Sequence, residues 1–156
     1  MFSKGDKVVY PLYGAGIIEE LQHSVVDGRD QTSYVMKLPL GNLRIMVSAA
    51  KAESVGVRSV MDGGELMDII GSVQPIPMPE NWNQRYKENM ERIKSGSVDV
   101  VAGVFRALRE RERTRGLSSA EKKVLSAAKQ IILSEIILSH DTDKPGAEEM
   151  LEKAIY

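Results

Sequence analysis

Two periods of apolar patterning divide this chain. Over the first sixty residues apolar side chains alternate with polar ones and are interrupted by turn chemistry, whereas after Pro79 they recur at spacings of three and four between helix caps. The alternating part predicts strands over residues 8–10, 16–22, 32–38 and 43–47. Between them lie Pro11-Leu12-Tyr13-Gly14-Ala15-Gly16, Asp27-Gly28 and Pro39-Leu40-Gly41-Asn42, each a turn in which glycine permits backbone angles closed to other residues. Leu43, Ile45 and Val47 fall on one face of the last strand. Several short antiparallel strands in so short a stretch predict a small, strongly bent sheet or barrel, whose edge strands can pair with a partner.

Residues 65–70 predict a short helix before Gly71. Gln74-Pro75-Ile76-Pro77-Met78-Pro79 then reads as a stiff, extended connector, because alternate prolines exclude both helix and sheet. In the next helix Trp82, Tyr86, Met90 and Ile93 form one stripe, and Gly96 is placed to end it. Ser97 is the candidate cap of a helix with Val101, Phe105 and Leu108 on one face, stopped at Gly116. Ser118-Ser119-Ala120-Glu121 matches a capping box, in which serine and glutamate satisfy each other's orphan amide donors. Val124, Leu125, Ala128, Ile132 and Ile136 continue an apolar face, and residues 145–155 form an acidic last helix with Met150, Leu151, Ala154 and Ile155 available for docking. The expected organisation is a β domain over residues 1–60, a short helix and proline-rich linker over 61–79, and an all-α bundle over 80–156.

Charge sharpens this picture. The whole chain carries a formal net charge of -1, yet residues 80–130 hold twelve basic and seven acidic side chains, a local +5, against -2 before and -4 after. The neutrality is a cancellation. A local cationic surface with an aromatic beside it suits a phosphate backbone and an adjacent base step. The chain has no cysteine, which excludes disulfides, thiolate zinc sites and a cysteine nucleophile. No apolar run approaches the roughly 18–20 residues of a membrane span, and the N-terminus lacks a signal-peptide pattern. The expectation is a soluble cytoplasmic protein.

Candidate catalytic chemistry is sparse. His23 and His140 lie at ligand spacing neither from each other nor from a carboxylate, so no metal site is expected. Gly14-Ala15-Gly16 lacks the lysine and hydroxyl residue of a phosphate-binding loop and reads as a tight turn. Glu19 and Glu20 are adjacent on a strand and point to opposite faces, which precludes a general acid and base pair. No catalytic residue, cofactor or metal is therefore expected, and the chain does not read as an enzyme.

Three features bear on nucleic acid, two of them with a second reading. The run Arg109-Glu110-Arg111-Glu112-Arg113-Thr114-Arg115 suits either a solvated helix end or phosphates. Lys122 and Lys123 stand in the first turns of a helix, where the dipole favours acids, and that misfit points to an anionic partner. Trp82 is either a core residue on its stripe or a surface aromatic beside Arg85 and Lys87.

Gly5-Asp6-Lys7-Val8-Val9-Tyr10-Pro11-Leu12-Tyr13-Gly14-Ala15-Gly16 resembles the opening of the CarD/CdnL family of bacterial transcription regulators. Val55-Gly56-Val57-Arg58, then Asn81-Trp82 with Arg85-Tyr86-Lys87, then Arg115-Gly116-Leu117-Ser118 with Glu121-Lys122, fit the same family in order and spacing over nearly the whole chain. The resemblance implies a Tudor-like or SH3-like first domain, similar to the polymerase-interacting module of the transcription-repair coupling factor, that docks on the RNA polymerase β subunit partly through a sheet edge. Val26, Arg44, Met46 and Val47 occupy the matching positions. It further implies a helical domain on promoter DNA at the upstream fork of the melted region. There Trp82, with Tyr86 beside it, sits at the minor groove, and Arg85, Lys87, Arg111, Lys122 and Lys123 meet phosphates, without sequence specificity. Such a protein stabilises the open promoter and associates with the nucleoid through polymerase. Tyr13, Met46 and Ser48 depart from the family's usual residues, which implies a weaker or more apolar polymerase contact. The competing functions are an RNA-binding accessory of ribosome or translation, because a small barrel with a basic helical appendage also suits structured RNA, and a protein-only adaptor.

Overall fold

The computed structural model describes residues 1–155. Five strands come first: β1 (Lys7–Tyr10), β2 (Gly14–Val26), β3 (Arg29–Lys37), β4 (Arg44–Ser48) and the two-residue β5 (Arg58–Ser59). Six helices complete the chain: α1 (Ala49–Val55), between β4 and β5, then α2 (Gly63–Ser72), α3 (Trp82–Ile93), α4 (Val98–Thr114), α5 (Ser119–His140) and α6 (Lys144–Ile155).

The strands pair antiparallel in the order β4-β3-β2-β1-β5. The expected barrel is thus an open sheet among the described residues, with β4 and β5 as its end strands. The β2–β3 hairpin is longer than the patterning implied, because pairing runs from Ile17 opposite Lys37 out to Val26 opposite Arg29 around the Asp27-Gly28 turn. Asp27 and Gly28 both have positive φ, 51° and 75°, as the two-residue turn of a twisted hairpin requires. Register shifts between Ile18 and Glu20, leaving Glu19 as the extra residue of a bulge.

Helix α1 had no place in the alternating pattern. Its signals were local: Ser48 Oγ accepts from the Lys51 N–H at 3.1 Å, and Gly56 ends the helix with φ 83°. Ser48 thus caps a helix.

Around β1 and the first half of β2 the sheet is buried on both faces. Val8, Ile18, Tyr34, Met36 and Val47 form a small core with Ala52 of α1, while Val9 and Ala15 join the main helical core. Successive residues of β1 feed different cores, as the two-residue period of a strand dictates. On its second face the sheet meets α5, whose residues 132–138 are all buried between sheet and bundle. Ser134 Oγ accepts from the Ala15 N–H at 2.9 Å and donates to the Ile131 carbonyl at 2.7 Å. Gly14, at φ 103°, permits this approach: a Cβ there would lie 2.6 Å from Ser134 Oγ.

Residues 61–79 are therefore not a spacer between independent bodies. Leu66 and Ile70 of α2 lie in the main core, the Ile76 N–H donates to the Gly103 carbonyl at 3.2 Å, and the Ile76 side chain sits where Gly103 lacks a Cβ. Prolines do hold this stretch out of helix and sheet, but it lies along α4. Polar contacts tie α5 to both β1 and α2. Lys7 Nζ donates to the Leu138 carbonyl at 2.9 Å, and His140 Nε2 lies 3.1 Å from the Gly63 carbonyl.

Candidate nucleic-acid interface

The expected cluster resolves into a surface pair resting on a buried pair. Asn81 caps α3 through its Oδ1, which accepts from the Gln84 N–H at 3.0 Å, so Trp82 is the first helical residue and stands at a corner of the bundle. Trp82 is 45% exposed. It stacks on Tyr86 one turn later, with ring centroids 6.0 Å apart and planes inclined by 13°. Its Nε1 donates to Ser118 Oγ at 3.0 Å, across 36 residues of sequence. Tyr86 is half-buried and packs against the main core, so it backs Trp82 instead of sharing its exposure.

Arg85 overturns an expectation. Placed at the phosphates by resemblance, it is 3% exposed and faces inward. Its Nε and Nη2 donate to the two carboxylate oxygens of Glu121 at 2.7 and 2.9 Å, and its Nη1 donates to the Glu80 and Pro79 carbonyls at 3.0 and 3.4 Å. Four of the five guanidinium donors are engaged within the protein, and the group is too deeply buried to present itself to a phosphate. The stripe of spacings four, four and three hid this, since Arg85 and Asn89 share the buried side of α3 with Ile93 while Trp82 turns outward.

Glu121 is equally buried, and Arg85 beside it holds its carboxylate below the usual value of 4.5, hydrogen bonding outweighing the cost of burial. Arg85 is raised in turn, chiefly by the same hydrogen bonds. Half of the expected capping box forms, with the Glu121 N–H donating to Ser118 Oγ at 3.2 Å, but the carboxylate is engaged by Arg85. Ser118 is thus the N-cap of α5, the acceptor for Trp82 and a neighbour of Glu121 Oε1 at 3.4 Å.

Lys87, Lys122 and Lys123 are exposed, the last two in the turn that follows Ser118. Arg115 is exposed too, 3.9 Å from Glu80. Arg111 is only half-exposed; it lines a shallow groove of about 210 Å³ with Arg115, Pro75 and Met78, and its Nε is buried without a hydrogen-bond partner. The mixed run from Arg109 to Arg115 therefore divides. Arg109 forms two hydrogen bonds to the Glu152 carboxylate, at 2.7 and 3.0 Å, and lies over the Phe105 ring, whereas Arg113 and Arg115 are solvated. No group of three or more potential metal-ligating side chains occurs among the described residues.

In the sheet, the polymerase-docking candidates are spread over the β4 end and the hairpin tip. Met46 is 65% exposed on β4. Arg44 is exposed, with its Nε donating to Glu19 Oε2 at 2.9 Å, so it carries an intramolecular partner. Val47 is buried in the small core, and only its backbone, on an end strand, remains available for a contact. Val26 is exposed at the hairpin tip, as is Val25, which the patterning had not marked. The partners missed at the helical corner, Ser118 with Trp82 and Glu121 with Arg85, had one visible signal, the box Ser118-Ser119-Ala120-Glu121; nothing in it pointed across 36 residues.

Two family models match the chain. The family model described as "CarD-like/TRCF RID domain" matches residues 2–61, and that described as "CarD, C-terminal domain" matches residues 65–152. The chain is also 34% identical over 138 residues to "Putative transcription factor YdeB" of Bacillus subtilis (strain 168), covering 87% of this chain and 90% of that protein.

Proposed function

Because the chain belongs to the CarD family, we propose that it is a non-catalytic transcription regulator that holds RNA polymerase and promoter DNA at once. The sheet binds the polymerase β subunit through the end strand β4 and the hairpin tip. The α3–α5 corner meets DNA at the upstream fork of the bubble, with the Trp82 indole at the minor groove and Lys87, Lys122 and Lys123 on phosphates. Arg113 and Arg115 extend the cationic surface, while Arg85 serves the fold. No cofactor is needed, and the protein works in the cytoplasm, on the nucleoid through polymerase.

One observation carries this reading. A half-exposed tryptophan stands at a corner where two helix starts meet, beside exposed lysines, in a chain of net charge -1. A large apolar ring left in water at a rigid corner suits insertion beside a base step. Contacts made by the opened promoter and not by the closed one shift the population toward the open form. Phosphate contacts carry no sequence information, so promoter choice rests with polymerase. Each attachment alone is weak, and simultaneous engagement raises the local concentration of the second.

The test is open-promoter lifetime on a linear promoter fragment with polymerase and the full chain. Trp82→Ala shortens it about tenfold, the order expected for the loss of one base–aromatic stack. An unchanged lifetime sinks the DNA half of the proposal. Loss of retention on immobilised β subunit with Met46→Glu tests the other half.

A further inference from the structure

We infer that Ser118 is a positioning residue for Trp82: by accepting the indole N–H and capping α5 with the same oxygen, it fixes the ring in the pose that engages DNA. The inference rests on the proposed function and assigns it a residue that touches no nucleic acid.

The geometry is over-determined on the protein side and open on the other. An exposed tryptophan at the first position of a helix ordinarily samples several rotamers. Here one ring face is covered by Tyr86 at 6.0 Å and the N–H is tied to Ser118 at 3.0 Å, so the remaining freedom is small. Ser118 is itself held. Its hydroxyl oxygen also accepts from the Glu121 N–H at 3.2 Å, and its hydroxyl group points toward Glu121 Oε1 at 3.4 Å. Glu121 is locked by Arg85, whose Nη1 returns to the Glu80 carbonyl two residues before Trp82. A closed circuit therefore runs from Trp82 through Ser118, Glu121 and Arg85 back to the start of α3. Each member is polar, each is bonded, and two of them are buried charges that tolerate little displacement.

Two consequences follow for recognition. The indole N–H is engaged within the protein, so Trp82 offers a partner one free π face and an apolar edge but no donor with which to read a base. Contact at the fork is then a matter of shape and stacking, which, like the phosphate contacts, carries no base-specific hydrogen bond. Pre-organisation also removes the ordering cost that a free side chain would bear on binding, so the tether strengthens engagement without adding a contact.

The chain has a single tryptophan, which makes the ring its own reporter. The experiment compares full-length wild type with Trp82→Ala, Ser118→Gly and Ser118→Thr. Glycine is tolerated at a helix N-cap nearly as well as serine yet lacks the acceptor, whereas threonine keeps both functions. Time-resolved fluorescence anisotropy of the free protein reads ring mobility; open-promoter lifetime with polymerase reads the consequence; thermal unfolding reads the fold. Ser118→Gly is expected to give a faster local anisotropy decay and a lifetime shortened several-fold toward that of Trp82→Ala, with little change in unfolding temperature, and Ser118→Thr restores both. Unchanged ring mobility in Ser118→Gly overturns the inference, as does a loosened ring with a full open-promoter lifetime. If Trp82→Ala itself leaves the lifetime unchanged, the functional reading fails and the positioning role falls with it. A shortened lifetime in Trp82→Ala with no effect of Ser118→Gly leaves the function standing and removes only Ser118.

Discussion

Arg58 of β5 and Glu135 of α5 are joined by two hydrogen bonds, Nη2 to Oε1 at 2.8 Å and Nη1 to Oε2 at 2.9 Å. The pair spans the junction between sheet and bundle. Arg58 Nε also donates to the Gly96 carbonyl at 2.9 Å, and the Met61 N–H donates to Glu135 Oε2 at 2.9 Å, so the carboxylate holds β5, the start of the α2 segment and α5 together. A bidentate pair fixes orientation as well as distance. The two halves are thereby set at one relative geometry, as the proposed bridging of polymerase and template would require.

Arg58→Ala should destabilise the protein by about 3 kcal/mol, because it leaves the Glu135 carboxylate buried with its partner gone. Urea denaturation measures this. Glu135→Gln should cost less, since it keeps an acceptor for the Met61 N–H. Equal and negligible losses for both would show that the joint does not depend on this pair.

Acid should weaken the corner under Trp82. Glu121 has a folded-state pKa below its ordinary 4.5, mainly through hydrogen bonds from Arg85, so the unfolded chain binds that proton more readily than the folded one. The stability from this pair is full well above pH 4.5 and is lost as pH falls through the depressed value. Glu121→Gln should be less stable at neutral pH by about 3 kcal/mol, with Arg85 left buried and poorly paired, and should lose less on acidification. Stability against pH for both proteins, from denaturant titrations between pH 3 and 7, decides it; parallel curves would contradict the assignment (these pH limits span roughly the range of carboxylate titration).

Lys122→Gln with Lys123→Gln should weaken DNA binding alike on unrelated sequences. It should also reduce the slope of log affinity against log salt by about 1.8, the value for two released phosphate contacts on duplex DNA. Anisotropy titrations of labelled duplexes across a salt series give the slope. An unchanged slope would place the phosphate contacts elsewhere, with Arg113 and Arg115 next in line.

Met46→Glu should reduce affinity for the polymerase β subunit by roughly tenfold, or ~1.4 kcal/mol, while leaving stability within about 0.5 kcal/mol, because the side chain is mostly in solvent. Surface-immobilised β subunit and a denaturation curve separate the two effects. A stability loss comparable to the affinity loss would mean that Met46 serves the sheet.

Gly14→Ala should cost about 2 kcal/mol or more, since the residue combines a φ of 103° with a neighbour 2.6 Å from the added carbon. The loss is read by thermal unfolding. Tolerance of alanine there would show that α5 is free to retreat from the sheet.

Much was legible from spacing alone. Alternation at Leu43, Ile45 and Val47 and the apolar run Val8-Val9-Tyr10 found strands, the cap Ser118 began a helix, and Gly96 stands just beyond the end of another, because local backbone geometry answers to nearby residues. The fate of charged side chains was not legible. Arg85 and Lys87 stand two positions apart in one helix, and by composition both are cations beside a tryptophan; one is buried and paired with Glu121, the other in water. A helical period says which residues share a face but not which face another element covers. For Arg85 that was settled by α5 arriving with Glu121, 36 residues on.

By itself, then, the amino-acid order determined the division into a strand-rich half and a helical half, the position of a lone tryptophan at the head of the cationic region, and the family. Only the tertiary structure decided that the sheet stays open, that residues 61–79 lie along α4, that Arg85 supports the fold, and that Ser118 holds the indole. The physical reason is range. Periodicity, caps and turns depend on neighbours within a few residues, whereas the pairing of a buried charge depends on where distant helices are brought together by the burial of apolar surface.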